Sequence, residues 1–268
     1  MDPRENDRAM QGPEQTISWI LFGKAQELHT RPRSMVTFTT IPESDALLND
    51  IENYPHLFVL GCIMDRQIPA ERAWNIPCVI ARECGGPEFA NFLTLDLDRL
   101  KEIFSKKRLH RFNDQMADNF YRAIQKIHTD YQDNAANIWL SGRPGCREVI
   151  DRFAQFHGVG QKISTMAVNI LVREFKVPLR FVHEIDISVD SQVRKVFTRL
   201  GLVPPGASNQ EIIVAARKIY PMYPGITDSL VWEIGREWCR AEGGAGLPLL
   251  RMQRERAGLW VDQAPAPV

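Results

Sequence analysis

The segment from Phe156 to Leu200 constrains the fold of this 268-residue chain more than any other stretch. It opens with a Gly-x-Gly turn at Gly158 and Gly160, preceded by a short amphipathic pattern. Behind the turn, Ile163 to Leu171 carries apolar residues at the i, i+3, i+4 spacing of one helix face. A further amphipathic run begins directly after Asp190. The segment therefore predicts two helices joined by a tight hairpin, followed by a third helix that starts at an aspartate.

Helical spacing also dominates the rest of the chain. Helices are predicted from Thr16, after Pro42, over 57–64 as a buried segment, and near 97–104, 120–127 and 149–156. Pro69 and Pro77 are each expected in the first turn of a new helix. Ser208 with Glu211 predicts a capping box, and Thr227 predicts the cap of the last helix. Only 35–39 and 179–182 read as candidate strands, so the fold class is mainly α.

Composition limits the partners and the compartment. The chain has 33 basic and 33 acidic residues, so nucleic-acid binding would depend on a local patch and on backbone dipoles. No apolar run approaches the roughly 20 residues of a membrane span. The N-terminus is polar and mixed in charge, which predicts a protein that is not secreted. Five scattered cysteines without a CxxC pair predict reduced, buried thiols, and no metal or cofactor is expected.

The hairpin can cradle a phosphate. Glycines let the backbone turn tightly and approach a ligand, and the amides at the start of the second helix favour an anion. A plain packing corner between helices explains the same Gly-x-Gly equally well. Lys162 follows two residues after Gly160, where it either adds charge near a phosphate or serves as an amine nucleophile on a sugar C1′. Asp190 is the candidate carboxylate partner, and an N-cap is its ordinary explanation.

Two motifs resemble a known family. FHGVGQKISTMAVNIL and SVDSQVRKVFTRLG are similar to the LPGVGxK and VDxxVxRV motifs of the helix–hairpin–helix (HhH-GPD) DNA glycosylase superfamily, the endonuclease III and 8-oxoguanine glycosylase group. The resemblance implies a two-lobed helical fold, with Lys162 as the Schiff-base nucleophile and Asp190 assisting cleavage of the glycosidic bond. It also implies DNA contacts at His157, Gly158, Val159 and Gly160. Because monofunctional relatives usually lack the lysine, it favours AP-lyase activity.

The chain departs from the family pattern at three places. Asp190 follows Lys162 by 28 positions, a longer interval than usual, and Asp186 within it is a rival carboxylate. The register of Val189, Val193 and Val196 favours Asp190. His157 stands where the family has proline. Cys239 resembles the first iron–sulfur ligand of endonuclease III, but the three cysteines expected after it are absent from the sequence, so no cluster is expected.

A glycosylase must also flip its target base and fill the gap in the stack. The IMDRQIPAERAW segment resembles the family segment that ends in a polar wedge residue, which makes Gln67 the candidate wedge and places Arg66 near DNA. A polar turn between helices is the ordinary alternative. The basic cluster is a candidate phosphate contact or a solvated loop; it comprises Lys106, Lys107, Arg108, His110 and Arg111.

The sequence thus predicts a base-excision repair DNA glycosylase with AP-lyase activity, acting as a monomer on damaged double-stranded DNA, in the cytoplasm (at the nucleoid) or in the nucleus. The predicted organisation is a disordered segment over 1–15, a glycosylase domain over 16–245 and a tail over 246–268. Two alternatives remain: a monofunctional glycosylase, in which Lys162 only contacts DNA, and a non-catalytic DNA-binding module that keeps the hairpin.

Overall fold

The computed structural model describes residues 13–235, apart from the side chains of 13–16 and of Glu233. The described chain is helical and contains no strand, which confirms the mainly α prediction. The thirteen α-helices of residues 13–235 are α1 (Pro13–Thr30), α2 (Pro42–Asn49), α3 (Pro55–Met64), α4 (Ala70–Cys84), α5 (Phe89–Leu93), α6 (Leu97–Lys106), α7 (Asn113–Tyr131), α8 (Asn137–Leu140), α9 (Cys146–Ala154), α10 (Gln161–Arg173), α11 (Ser191–Arg199), α12 (Asn209–Ile219) and α13 (Asp228–Glu233).

The chain divides into two compact units, which we name the central unit (Arg31–Ser188) and the terminal unit (13–30 with 189–235). The predictions for residues 1–12 and 236–268, including the C-terminal tail and Cys239, fall outside the described residues. Within residues 13–235, no helix combines the length and the apolarity needed to cross a membrane.

The central unit is built around α3. Every residue of this helix is buried, because its side chains are apolar on all faces and α2, α4, α7 and α10 pack against it. The predicted buried helix over 57–64 is thus confirmed. The pairs α6–α7 and α9–α10 complete the unit, the second pair being the predicted helix–hairpin–helix.

Helix α4 corrects the prediction at Pro77. Pro69 is the N-cap, one residue before the first turn in which it was expected, and Pro77 lies inside the helix and starts no new one. A proline within a helix costs about 3 kcal/mol. Ile76 and Ile80 are both buried on the inner face, and each burial contributes about 1.5–3 kcal/mol. Burial on both sides of Pro77 therefore outweighs its cost. The predicted glycine cap is confirmed, since Gly85 ends α4 in the left-handed conformation (φ 99°).

Neither candidate strand forms. In the segment 35–39, side chains of α2 replace a neighbouring strand: Asp45 Oδ1 accepts from the Thr39 amide (2.8 Å), and Asn49 Oδ1 accepts from the Val36 amide (2.8 Å). The segment 179–182 makes a single isolated bridge, between Arg180 and Gly145, and Phe181 then turns into the left-handed region (φ 63°). In both segments the extended backbone bonds to groups outside any sheet, so no strand forms.

In the terminal unit, α1 packs against α12, and α11 packs against α13. The capping box is confirmed, with Ser208 and Glu211 exchanging side-chain and backbone hydrogen bonds. Thr227 stands at the N-cap of α13, as predicted, but its side chain does not cap the helix. Thr227 is the last residue of a 3-10 turn (Pro224–Thr227) and already has helical backbone angles, so its buried side chain makes no capping bond.

Candidate nucleic-acid interface

The hairpin between α9 and α10 is held from inside by two apolar anchors. Phe156 is buried and stacks on Tyr131 of α7 at 6.1 Å between ring centroids. Val159 is also buried, and its amide donates to the Phe156 carbonyl (3.0 Å), which closes the turn. With these residues inside, His157, Gly158 and Gly160 are exposed. Val159 thus shapes the turn, while its neighbours form the outer surface.

The N-terminal end of α10 is open. Gly160 is the N-cap and has no side chain to cap the helix, and the amides of residues 161–163 make no hydrogen bond within the described chain. A Cβ built on Gly160 meets nothing within 4 Å. Lys162, in the first turn, is exposed. Free amides, the helix dipole and an ammonium group together make this helix end suited to an anion.

Three of the predicted interface residues meet around one side chain that the sequence did not single out. Asn119 of α7 is buried, with 1% of its surface exposed, and its Oδ1 accepts a hydrogen bond from His157 Nδ1 (2.9 Å). Gly158 has φ +80°, and a Cβ there would lie 2.7 Å from Asn119 Nδ2 and 2.9 Å from an Arg66 guanidinium nitrogen. The hairpin and the turn that carries Arg66 therefore form one local surface.

The turn between α3 and α4 presents the candidate wedge. Gln67 is exposed and has left-handed backbone angles (φ 54°), which place it at the tip of the turn. The Arg66 carbonyl accepts a hydrogen bond from His110 Nε2 (2.9 Å), and His110 Nδ1 accepts from the Phe112 amide (3.1 Å). Burial lowers the pKa of His110 and favours the neutral ring that this arrangement requires. His110 thus fixes the turn to the loop before α7.

The basic cluster is only partly available for phosphate contact. His110 is 2% exposed and used internally, so its assignment to a phosphate contact is wrong. Lys107 forms an ion pair with Glu83 of α4 (2.7 Å). The Arg111 guanidinium lies 4.8 Å from the centre of the Phe112 ring, beside the loop that His110 holds. Lys106, Arg108 and Arg111 remain as exposed cations on this surface.

Asp190 belongs to the terminal unit, whereas Lys162 belongs to the central unit. Asp190 caps α11, and its Oδ1 accepts from the amides of Gln192 and Val193 (both 2.9 Å). Its second oxygen makes no hydrogen bond with the described residues. The rival Asp186, in the central unit, is 8% exposed. Asp190 thus has the expected capping role together with a carboxylate oxygen that the cap does not use.

The described cysteines are poor nucleophiles. Cys62, Cys78, Cys84 and Cys146 are free thiols, and three of them are buried. Burial raises the pKa of Cys78 to about 11 and that of Cys146 to about 12, so both are protonated at neutral pH. No group of three or more His, Cys, Asp or Glu side chains within residues 13–235 could hold a metal ion.

The sequence contains a sign that Asn119 is important: it is a polar residue on an apolar helix face. The spacing of apolar residues alone does not say which group it contacts. Asn119 lies on the buried face of α7, among Met116, Phe120 and Ala123. A polar residue in such an apolar stripe requires a hydrogen-bond partner. Its partner, His157, lies 38 residues away and becomes visible only in the folded chain.

Solved structures of DNA complexes resemble this fold. A trapped covalent intermediate of endonuclease III with DNA has a TM-score of 0.57 and 19% identity, over 92% of this chain and all of that one. A non-covalent endonuclease III–DNA complex has a TM-score of 0.56 and 20% identity, with the same coverage. The Clostridium acetobutylicum 8-oxoguanine glycosylase/lyase, in complex with double-stranded DNA, has a TM-score of 0.52 and 15% identity, over 73% of this chain and 68% of that one.

The fold resemblance predicted from the two motifs is thus confirmed. No protein-family model matches the sequence, and no curated protein matches it at a significant level.

Proposed function

We propose that this protein is a base-excision DNA glycosylase with AP-lyase activity that binds damaged double-stranded DNA as a monomer. The observation that carries the proposal is the open end of α10, where free amides and exposed Lys162 lie together. This end belongs to a fold similar to that of endonuclease III trapped in a covalent intermediate with DNA. A protein with no net charge needs such a local anion site to bind a polyanion.

In the proposed complex, the hairpin binds one phosphate beside the lesion. The amides at residues 161–163 donate to its oxygens, and the absence of a Cβ at Gly160 leaves room for close approach. Arg66, next to Gly158, adds positive charge from the neighbouring turn. Gln67, at the tip of that turn, fills the gap left when the damaged base leaves the stack.

Lys162 supplies the nucleophile in the proposed reaction. Its neutral amine attacks C1′ of the damaged nucleotide, the N–C1′ bond forms as the glycosidic bond breaks, and the base departs with the bonding electrons. The sugar ring then opens to a Schiff base, whose nitrogen withdraws electrons from C2′. Loss of a C2′ proton expels the 3′ phosphate by β-elimination, which is the lyase step.

Asp190 assists in this scheme. It accepts the proton that Lys162 loses, directly or through a water, and its negative charge stabilises the oxocarbenium-like sugar. The oxygen that the α11 cap leaves unused is the acceptor. Because the two residues belong to different units, their pairing is inferred from the resemblance of the two motifs that contain them to those of the DNA glycosylase superfamily.

A panel of lesion-bearing duplexes tests the activity. Base release should be detected on at least one oxidised, fragmented or deaminated base, and the strand should be nicked without added alkali. Release followed by nicking only in alkali would identify the monofunctional alternative. Binding without release on any lesion, with Asp190→Asn unchanged in every property, would identify the non-catalytic alternative.

Lys162→Gln tests the nucleophile. Borohydride traps a Schiff base as a stable protein–DNA adduct, so the variant should lose the trapped band seen on denaturing gels. Its affinity for an uncleavable duplex should fall by less than about threefold, because it loses only one charge near the DNA. Lys218→Gln, at an exposed lysine of α12, is the matched control and should be trapped as wild type is. Adducts that persist in Lys162→Gln would refute the assignment.

A further inference from the structure

Asn119 joins the hairpin to α7 through its side-chain oxygen, and its side-chain nitrogen lies beside the hairpin at Gly158. Burying an amide without partners costs about 1–3 kcal/mol, so an asparagine that is 1% exposed must be satisfied by its neighbours. Oδ1 accepts from His157 Nδ1 at 2.9 Å, while Nδ2 donates to Met116 Sδ of the same helix (3.5 Å) and would lie 2.7 Å from a Cβ at Gly158. The one polar side chain on this stretch of the α7 core face is therefore directed at the hairpin.

This contact determines the state of the His157 ring. A carboxamide oxygen only accepts, so Nδ1 carries the proton and Nε2 is left without a hydrogen bond in the described chain. The ring is exposed, and two residues further on the open end of α10 begins at Gly160. When the imidazole takes up a proton, Nε2 becomes a charged donor on the surface assigned to a phosphate.

We propose that Asn119 is a positioning residue that holds His157 with Nε2 outward, and that His157 is a charge-dependent phosphate contact of the hairpin. DNA binding would then strengthen when the imidazole is protonated. The inference rests on the proposed function only in requiring that the hairpin binds DNA; it does not require base excision. At this position the family motif has proline, which cannot offer such a contact.

The charged groups around His157 do not themselves account for such a pH dependence. Arg66 lies by Gly158 from the α3–α4 turn, and Lys126 of α7 lies 5.8 Å from the Phe156 ring and pairs with Asp130. Asp118, next to Asn119, pairs with Arg122. Such side chains ordinarily keep their charge between pH 5 and 8, in contrast to an imidazole. His110, bonded to the Arg66 carbonyl, has a pKa lowered by burial.

The first test is the binding of a duplex with an uncleavable abasic-site analogue, measured by fluorescence anisotropy from pH 5.5 to 8.5. Wild-type affinity should rise toward pH 5.5 by about threefold to tenfold more than that of His157→Gln. At pH 5.5 the slope of log affinity against log salt should be steeper in wild type by about 0.9, the value for one phosphate contact. His183→Gln, at another exposed histidine, should keep the wild-type pH dependence.

The second test replaces Asn119, the hydrogen-bond partner of His157, and leaves His157 in place. Asn119→Asp keeps the acceptor and adds a negative charge that favours the imidazolium, so the midpoint of the pH-dependent binding should move up by about one pH unit. Asn119→Leu removes the acceptor and should lower the pH dependence to that of His157→Gln. Thermal melts report whether each variant is folded. If Asn119→Leu does not fold, Asn119→Asp alone tests whether Asn119 positions His157.

Two results would overturn the inference: a His157→Gln variant with the wild-type pH and salt dependence, or an Asn119→Asp variant with an unchanged midpoint. A wild-type protein that binds no DNA at any pH would refute the proposed function as well. A wild-type protein that binds and excises, while either of those two results holds, would refute this inference alone.

Discussion

At the scale of single residues, the two hairpin glycines have different reasons to be glycine. Gly158 has φ +80°, and a Cβ there would come within 3 Å of Asn119 and Arg66. Gly158→Ala should therefore lower the free energy of unfolding by about 1–3 kcal/mol, through backbone strain and the displacement of Asn119. Urea titration measures this loss. An unfolding free energy equal to that of wild type would contradict the close packing described here.

Gly160 has ordinary backbone angles (φ −102°) and open space where a Cβ would be. Gly160→Ala should change the free energy of unfolding by less than about 1 kcal/mol, since a weaker N-cap and a stiffer unfolded chain act in opposite directions. It should nevertheless weaken DNA binding, because the new methyl group occupies the approach to the free amides. Anisotropy titration with a DNA duplex compares the affinity of Gly160→Ala with that of wild type. Unchanged affinity in Gly160→Ala would argue against a phosphate at this helix end.

At the scale of elements, the cap of α11 allows structure and chemistry to be separated at Asp190. Asn caps a helix about as well as Asp, so Asp190→Asn should change the free energy of unfolding by less than about 0.5 kcal/mol and yet slow base release by about a hundredfold or more. Asp190→Ala should lose the same activity and also about 1 kcal/mol of stability. Single-turnover base release and urea titration measure the two effects. Full activity in Asp190→Asn would mean that another group assists the reaction, and Asp186 would be the first residue to mutate.

Helix positions were predictable because apolar spacing reports which face is buried, and burial determines where a helix forms. The failures have a common cause in contacts that spacing does not encode. Pro77 stays within α4 because buried neighbours outweigh its cost, and Thr227 belongs to a turn that is already helical. The segment 35–39 is extended without a partner strand because Asp45 and Asn49 satisfy its amides.

At the scale of the whole molecule, about 45 residues of motif identified a fold that solved structures share over 92% of this chain at 19–20% identity. Chains of such low identity can share a fold because a fold requires a pattern of burial and turns, which many sequences satisfy. The hydrogen bonds that hold the hairpin and the α3–α4 turn in place were not predictable from the motifs. The bonds from Asn119 to His157 and from Arg66 to His110 join residues 38 and 44 positions apart, and no local pattern pairs them.

His56 makes the stability of the central unit sensitive to acid. It lies in α3 with 2% of its surface exposed, against the rings of Phe89 and Phe92, and its Nε2 donates to the Pro87 carbonyl (2.8 Å). Burial lowers the pKa of His56 to about 4, from an ordinary value of 6.5. Between these values the unfolded chain binds a proton that the folded chain excludes. The stabilising contribution is therefore complete above pH 6.5 and is lost as pH falls toward 4.

The free energy of unfolding should thus decrease by on the order of 3 kcal/mol between pH 7 and pH 4 on account of this residue. Carboxylates also titrate in this range, so the measurement is a difference between wild type and His56→Phe in urea titrations at several pH values. The variant loses the bond to Pro87 and should be less stable at pH 7, but its stability should fall less steeply with acid, because it has no imidazole to protonate. His183→Gln, at an exposed histidine, should follow the wild-type curve. Parallel curves for wild type and His56→Phe would mean that His56 takes up a proton as readily in the folded protein as in the unfolded chain, which its burial opposes.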